Sequence, residues 1–178
     1  RSIIVRISDD SPEDGEGAGD RDFVHDVVVG DGDVLDGDGY GFEVLHTPGH
    51  ISNHLCFALR EESTLFTGDH VMGWSTTVVP APDGDLNDYL ANLRRLLSRP
   101  ETTYRPTHGP PLTNPTRYVR ALISHREMRE HQIVAALANG PRDIRSIVTD
   151  LYADIHVDLH KAAAASVHSH LVALSRAG

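Results

Sequence analysis

His46, His50 and His54 stand four residues apart in the stretch "EVLHTPGHISNHLCFAL", residues 43–59. On a helix that spacing would stack three imidazoles on one face. Pro48 and Gly49 interrupt it, because a Pro-Gly pair turns a chain and does not continue a helix. His50 therefore follows a strand-like run and a tight turn. The pattern recurs twice: Asp69 and His70 follow "TLFTG", and His108 follows "TYRPT" and precedes Gly109-Pro110. Three strand ends thus deliver metal-capable side chains to loops, which is where α/β sheets build their sites. Neutral imidazole combined with carboxylate suits zinc, and manganese or iron less selectively.

The elements that must position these residues are short at first. The apolar runs Val27–Val29, Val34–Leu35 and Phe42–Leu45 are separated by Gly-Asp turns and read as tightly joined strands. A second strand pair follows, "HLCFALR" and "TLFTGDH", with a turn at Glu61–Ser63. "DLNDYLANLRRLLS" (85–98) predicts an amphipathic helix capped by Asp85, with Leu86, Tyr89, Leu90, Leu93 and Leu97 in one stripe. A short strand at Thr103–Arg105 leads into "PTHGPP". This mixture is that of a layered α/β architecture. From Asn114 the character changes. Asn114-Pro115 opens a long helix that Gly140-Pro141 stops, a second helix covers about Asp143–Tyr152, and a third about Leu159–Ser175. Three helices in this span resemble a helix-turn-helix unit. "HSH" (168–170) falls on the last of them and reads as part of an amphipathic face.

Composition narrows the classes. With 178 residues and 39% apolar content, a real core forms. No run approaches the length of a membrane span, and no signal peptide is visible. Cys56 is the only cysteine, so no intrachain disulfide forms, which fits a reducing cytoplasm. Cys56 itself reads as a small core residue. The net charge of −10 is uneven. Asp9 to Asp38 holds 12 acidic residues and one basic residue, Arg21, which excludes nucleic-acid binding there. From Asn114 onward, eight Lys/Arg face six Asp/Glu, a mildly basic balance. Residues 9–22 read as a polar Gly-rich loop. "GDGDVLDGDG" is not a calcium loop, because Leu35 stands where the third ligand would be. The first residue is Arg1, and "SIIVRI" after it reads as a strand already under way.

The phrases "HTPGH", "FTGDH" and "THGP" closely resemble those of the metallo-β-lactamase fold hydrolases. The resemblance implies that His50 binds one metal, Asp69 bridges two, and His108 binds the second. Asp69 is also the catalytic carboxylate in this reading. "THG" stands where the family has "GHG", and the histidine is kept. His54 and His70 are expected beside the ligands or facing substrate, and His46 is expected to pack. "STTV" (Ser75–Val78), "LISHREMREHQI" (Leu122–Ile133) and a C-terminal winged-helix-like cap are similar to the lactamase-β-like-2 type. The fold this implies is part of a four-layer αββα sandwich over 1–113, followed by a helical winged-helix-like domain over 114–178. The family's H-x-H-x-D-H signature is absent from this sequence. The resemblance places it before Arg1, so the chain is expected to be the C-terminal part of the hydrolase. Alone it offers each metal at most two protein ligands, too few for a tight site, and it is expected to be inactive by itself.

The implied chemistry is hydrolysis by a metal-bound hydroxide, with two zinc ions, or manganese or iron, in the intact enzyme. The implied substrate is a small ester-like molecule or a phosphodiester, with single-stranded RNA favoured slightly by the basic C-terminal balance. Fold alone does not choose between them. The rival reading is a non-catalytic binding module that works through the C-terminal helices on a nucleic acid or protein partner. The expected partners are thus the substrate and the missing N-terminal segment of the same fold, with a homo-oligomer compatible and no membrane.

Overall fold

The computed structural model describes residues 27–177. The strand expected at Arg1 and the loop at 9–22 lie outside the described residues. Five strands form one sheet in the order β1 (Val34–Asp36), β2 (Gly41–His46), β3 (Leu55–Leu59), β4 (Thr64–Gly68) and β5 (Thr103–Pro106). Neighbours pair antiparallel from β1 to β4, and β4 pairs with β5 in parallel. That parallel step needs a crossover, which α1 (Leu86–Leu96) supplies. Two antiparallel steps leave β2 pointing the same way as β4, and β5 follows β4. The C-terminal ends of β2, β4 and β5 therefore share one sheet edge, and the segments carrying His50, Asp69 and His108 all leave from it.

The register sets the faces. Leu45 opposes Cys56, and Ala58 opposes Leu65, which in turn pairs with Tyr104. These residues point to one face and pack with Leu86, Tyr89, Leu93 and Leu96 of α1. The opposite face carries Phe42, Phe57 and Phe66, with Phe42 and Phe66 edge to face at 5.9 Å. One sheet with helices on one face supplies two of the four layers expected.

Asp85 caps α1 as expected, accepting from the backbone N–H groups of Asn87 and Asp88. Its buried stripe ends on Leu96; Leu97, expected in the stripe, is the C-terminal cap and only half-buried. Val27–Val29 forms no strand, and Val27 and Val28 are exposed. A three-residue apolar run without a ladder partner has no reason to stay extended. The C-terminal region is helical: α2 (Pro115–Leu137), α3 (Ile144–Leu151) and α4 (His160–Ala177). Asn114 caps α2 through its side chain, as its sequence position predicts, and Asp143, expected as the first residue of its helix, caps α3 through its own. The N-terminal half of α2 joins the sheet's core through Val119, Leu122 and Ile123. A second core gathers Ile133 with Ile147, Val148, Ala163 and Val167. Among the described residues, no helix is long and apolar enough to cross a membrane.

Candidate metal centre

Asp69 is the middle of the arrangement. Its Oδ2 lies 3.8 Å from His50 Nε2, and its Oδ1 lies 3.6 Å from His108 Nε2. Residues 58 positions apart in the chain thus meet at one carboxylate. His50 Nδ1 donates to Val78 O at 2.6 Å, because a carbonyl only accepts. In the neutral ring that leaves the lone pair on Nε2, aimed at Asp69. Asp69 Oδ1 is buried without a hydrogen-bond partner among the described residues.

At His50 the neutral ring sets a nitrogen lone pair against Asp69 Oδ2, a repulsion that a cation between them would relieve. Two ligands of one tetrahedral zinc stand about 3.4 Å apart, from bonds of about 2.1 Å. The two observed pairs fall within a few tenths of an ångström of that separation. The donor set therefore fits two cations that share Asp69. Each oxygen faces one imidazole, and among the described residues no group of three or more His, Cys, Asp or Glu side chains closes on a single point.

Behind Asp69 stands His54, buried at the start of β3. Its Nε2 accepts the Asp69 backbone N–H at 3.2 Å, so its Nδ1 carries the proton and meets Thr47 Oγ1 at 2.8 Å. Both ring nitrogens are engaged within the protein. Burial, then the neighbouring His50 and His46, lower its pKa to about 4. Gly68 makes the approach feasible. It has φ +52°, and a Cβ there would fall 2.6 Å from His54 Nε2.

His70 is fully buried, so of the two positions expected for it, full burial is compatible with the one beside the ligands. Its ring packs edge-on to Tyr89 at 4.9 Å and lies 5.7 Å from that of His54. Burial, with His54 and His50 nearby, holds its pKa down to about 3. His46 is exposed and its Nε2 donates to Ser52 O, away from Asp69. His168 is exposed and His170 buried, so "HSH" is not a chelating pair. Cys56 is buried in the core, and burial pushes its thiol up to about 12.

Sequence reasoning from residue types missed the loop between β4 and α1 as a support. Thr77 Oγ1 donates to Asp69 O at 2.6 Å, and Gly73 N–H donates to His108 O at 2.8 Å. Trp74 and Val78 on the same loop are exposed, with the Trp74 ring against Gly109. The one sequence signal for this loop was the phrase "STTV", whose carbonyls no pattern of side chains reveals.

Comparison with known proteins gives a family and a fold. The profile of the Metallo-beta-lactamase superfamily matches residues 3–108. An atrochrysone carboxyl ACP thioesterase from Aspergillus fumigatus is 37% identical over 67% of this chain and 37% of its own length. A beta-lactamase-like protein 2 homolog from Drosophila melanogaster is 32% identical over 79% of this chain and 48% of its own. The chain spans less than half the length of either relative. Among solved structures, a metallo-beta-lactamase family protein from Thermus thermophilus superposes with a TM-score of 0.72 at 27% identity, over 84% of this chain and 49% of that one. A beta-lactamase domain protein from Burkholderia ambifaria gives 0.75 at 25% identity, over 84% and 46%.

Proposed function

Because the chain belongs to the metallo-β-lactamase superfamily, we propose that it supplies the Asp69 side of a two-metal hydrolase site acting on a carboxylic ester or thioester. The observation that carries this reading is the Asp69 carboxylate held between two imidazole Nε2 atoms, one on each oxygen. His50 and His108 would each hold one cation, and Asp69 would hold both and offset their mutual repulsion. Cations held there would supply Lewis acidity and acidify a water for hydrolysis at neutral pH. No serine or cysteine nucleophile is then needed, in keeping with the buried, unreactive Cys56. Zinc is the metal this donor set favours. The remaining ligands come from an N-terminal segment of the same fold.

The chain's own residues do the rest. Val78 O orients His50, His54 anchors the Asp69 backbone, and the exposed Trp74 and Val78 offer apolar surface beside the site for an acyl group. The thioesterase named among the relatives points to the same substrate class. The helices after Asn114 act as a winged-helix-like cap, and the single reduced cysteine suits the cytoplasm.

The test compares the full-length protein with its Asp69→Ala variant, for metal content and for hydrolysis of an acyl thioester, an ester and a single-stranded RNA. Expected is about two metals and thioester or ester hydrolysis in the parent, with both metals and the rate lost in the variant. Retention of two metals and a near-normal rate by Asp69→Ala would sink the reading and favour a binding module. Cleavage of RNA alone would move the substrate to phosphodiesters.

A further inference from the structure

Three successive carbonyls between β4 and α1 are each held by a different part of the molecule. Thr77 O accepts from Arg126 Nη2 of α2. Val78 O accepts from His50 Nδ1. Val79 O accepts from Ser169 Oγ of α4. The same strap reaches Asp69 directly, through Thr77 Oγ1 and Asp69 O. From this geometry we infer that Arg126, assisted by Ser169, is a positioning residue for His50: the C-terminal helices fix the strap whose Val78 carbonyl selects the His50 tautomer. The inference rests on the reading of His50 as a metal ligand.

His50 points Nε2 at Asp69 as a lone pair only while Nδ1 keeps its proton, and Val78 O is what holds that proton. A carbonyl in a loop between Trp74 and Gly84 has no ladder to fix it. Its neighbours on both sides are tied to the helices instead. Arg126 is buried, at 3% exposure, and among the described residues its hydrogen bonds reach no carboxylate. Besides Thr77 O, it donates to Ser166 Oγ of α4 at 3.2 Å and lies 5.6 Å over the Tyr89 ring. A buried cation without an acid is a costly way to join three elements, and an apolar side chain would join them at less cost. What an apolar side chain lacks is a donor for Thr77 O. Ser169 Oγ also reaches Ala165 O on its own helix at 2.9 Å, so its single proton serves one carbonyl at a time. It is the weaker of the two ties.

The experiment reads the tautomer of His50 without relying on activity. Ring nitrogens of the full-length, metal-free protein are labelled with nitrogen-15, and His50 is assigned by its loss in His50→Asn. The parent is expected to show a protonated Nδ1. Arg126→Met is expected to populate the Nε2-protonated tautomer and to weaken zinc binding about 10–100-fold, with the fold intact by circular dichroism. Arg126→Lys, which keeps a donor, is expected to recover part of both. A folded Arg126→Met with unchanged tautomer and zinc affinity overturns the inference. If Arg126→Met does not fold, Ser169→Ala decides by the same tautomer signal: it is expected to populate the Nε2-protonated tautomer in part, and a parent-like spectrum overturns the inference. A parent that shows the Nδ1 tautomer and its loss in the variants, yet binds no zinc, upholds the positioning role and instead defeats the proposed function.

Discussion

At the scale of single residues, the site is defined as much by hydrogen bonds as by ligands. His54 has no nitrogen left for a metal: one accepts the Asp69 N–H and the other meets Thr47. His54→Ala in the full-length protein should therefore keep most of its metal and lose activity about 10–100-fold, because the Asp69 backbone loses its acceptor. Metal analysis beside a rate measurement separates the outcomes, and loss of both metals would instead make His54 a ligand. Strand ends that meet Gly or Pro turns single out His50, Asp69, His70 and His108 in the sequence, and the resemblance implies ligand roles for His50, Asp69 and His108. It left His54 and His70 open between two roles. Which of them lies beneath Asp69 depends on the positive φ of Gly68 and on Thr47 opposite His54, and neither is a feature of residue type or spacing.

At the scale of elements, the Pro-Gly turn after β2 is seated on the start of α1. Asp85 N–H donates to Gly49 O at 2.9 Å, and Gly49 has φ +143°. A Cβ at Gly49 would lie 2.4 Å from Tyr89 Cα and 2.6 Å from Tyr89 N, backbone atoms that cannot move aside. Gly49→Ala should cost about 1–3 kcal/mol of stability, through overpacking and a conformation that L side chains rarely adopt. Gly140 also has a positive φ, +123°, but nothing lies within 4 Å of its Cβ position. Gly140→Ala should cost less than Gly49→Ala in urea unfolding; equal losses would show that packing on α1 is not the cause. Elements were legible where local chemistry decides them. Asp85 and Asn114 each cap a helix where the sequence places the cap. Val27–Val29 was misread because a strand depends on a partner in the ladder, which a short apolar run does not reveal. The shift from Leu97 to Leu96 comes from the helix ending one residue before Leu97.

At the scale of the whole molecule, α2 spans two cores, with Val119, Leu122 and Ile123 in one and Ile133 in the other. The change of character at Asn114 was visible in the sequence. The continuity of packing across it was not, because it depends on which face of a 23-residue helix meets the sheet. His170 of α4 is fully buried. It faces Arg126, Arg129 and His125 of α2, and its Nδ1 lies 3.9 Å from Glu130 Oε2. Burial first, and those cations second, lower its pKa from 6.5 to about 4. In the unfolded chain the ring returns to its ordinary value, so between pH 6.5 and about 4 the unfolded state binds a proton that the folded state does not. Stability therefore rises with pH across that window, by up to about 1.4 kcal/mol per unit from this one group. The contribution is present above pH 6.5 and is lost as pH falls toward 4. Urea unfolding at pH 7, 6, 5 and 4.5 should show the parent losing stability more steeply than His170→Leu, which has nothing to protonate. Carboxylates titrate mostly below this range, and the other histidines are common to both proteins, so the difference in slope belongs to His170. Parallel slopes would mean that His170 takes up its proton as readily in the folded molecule as in the unfolded one.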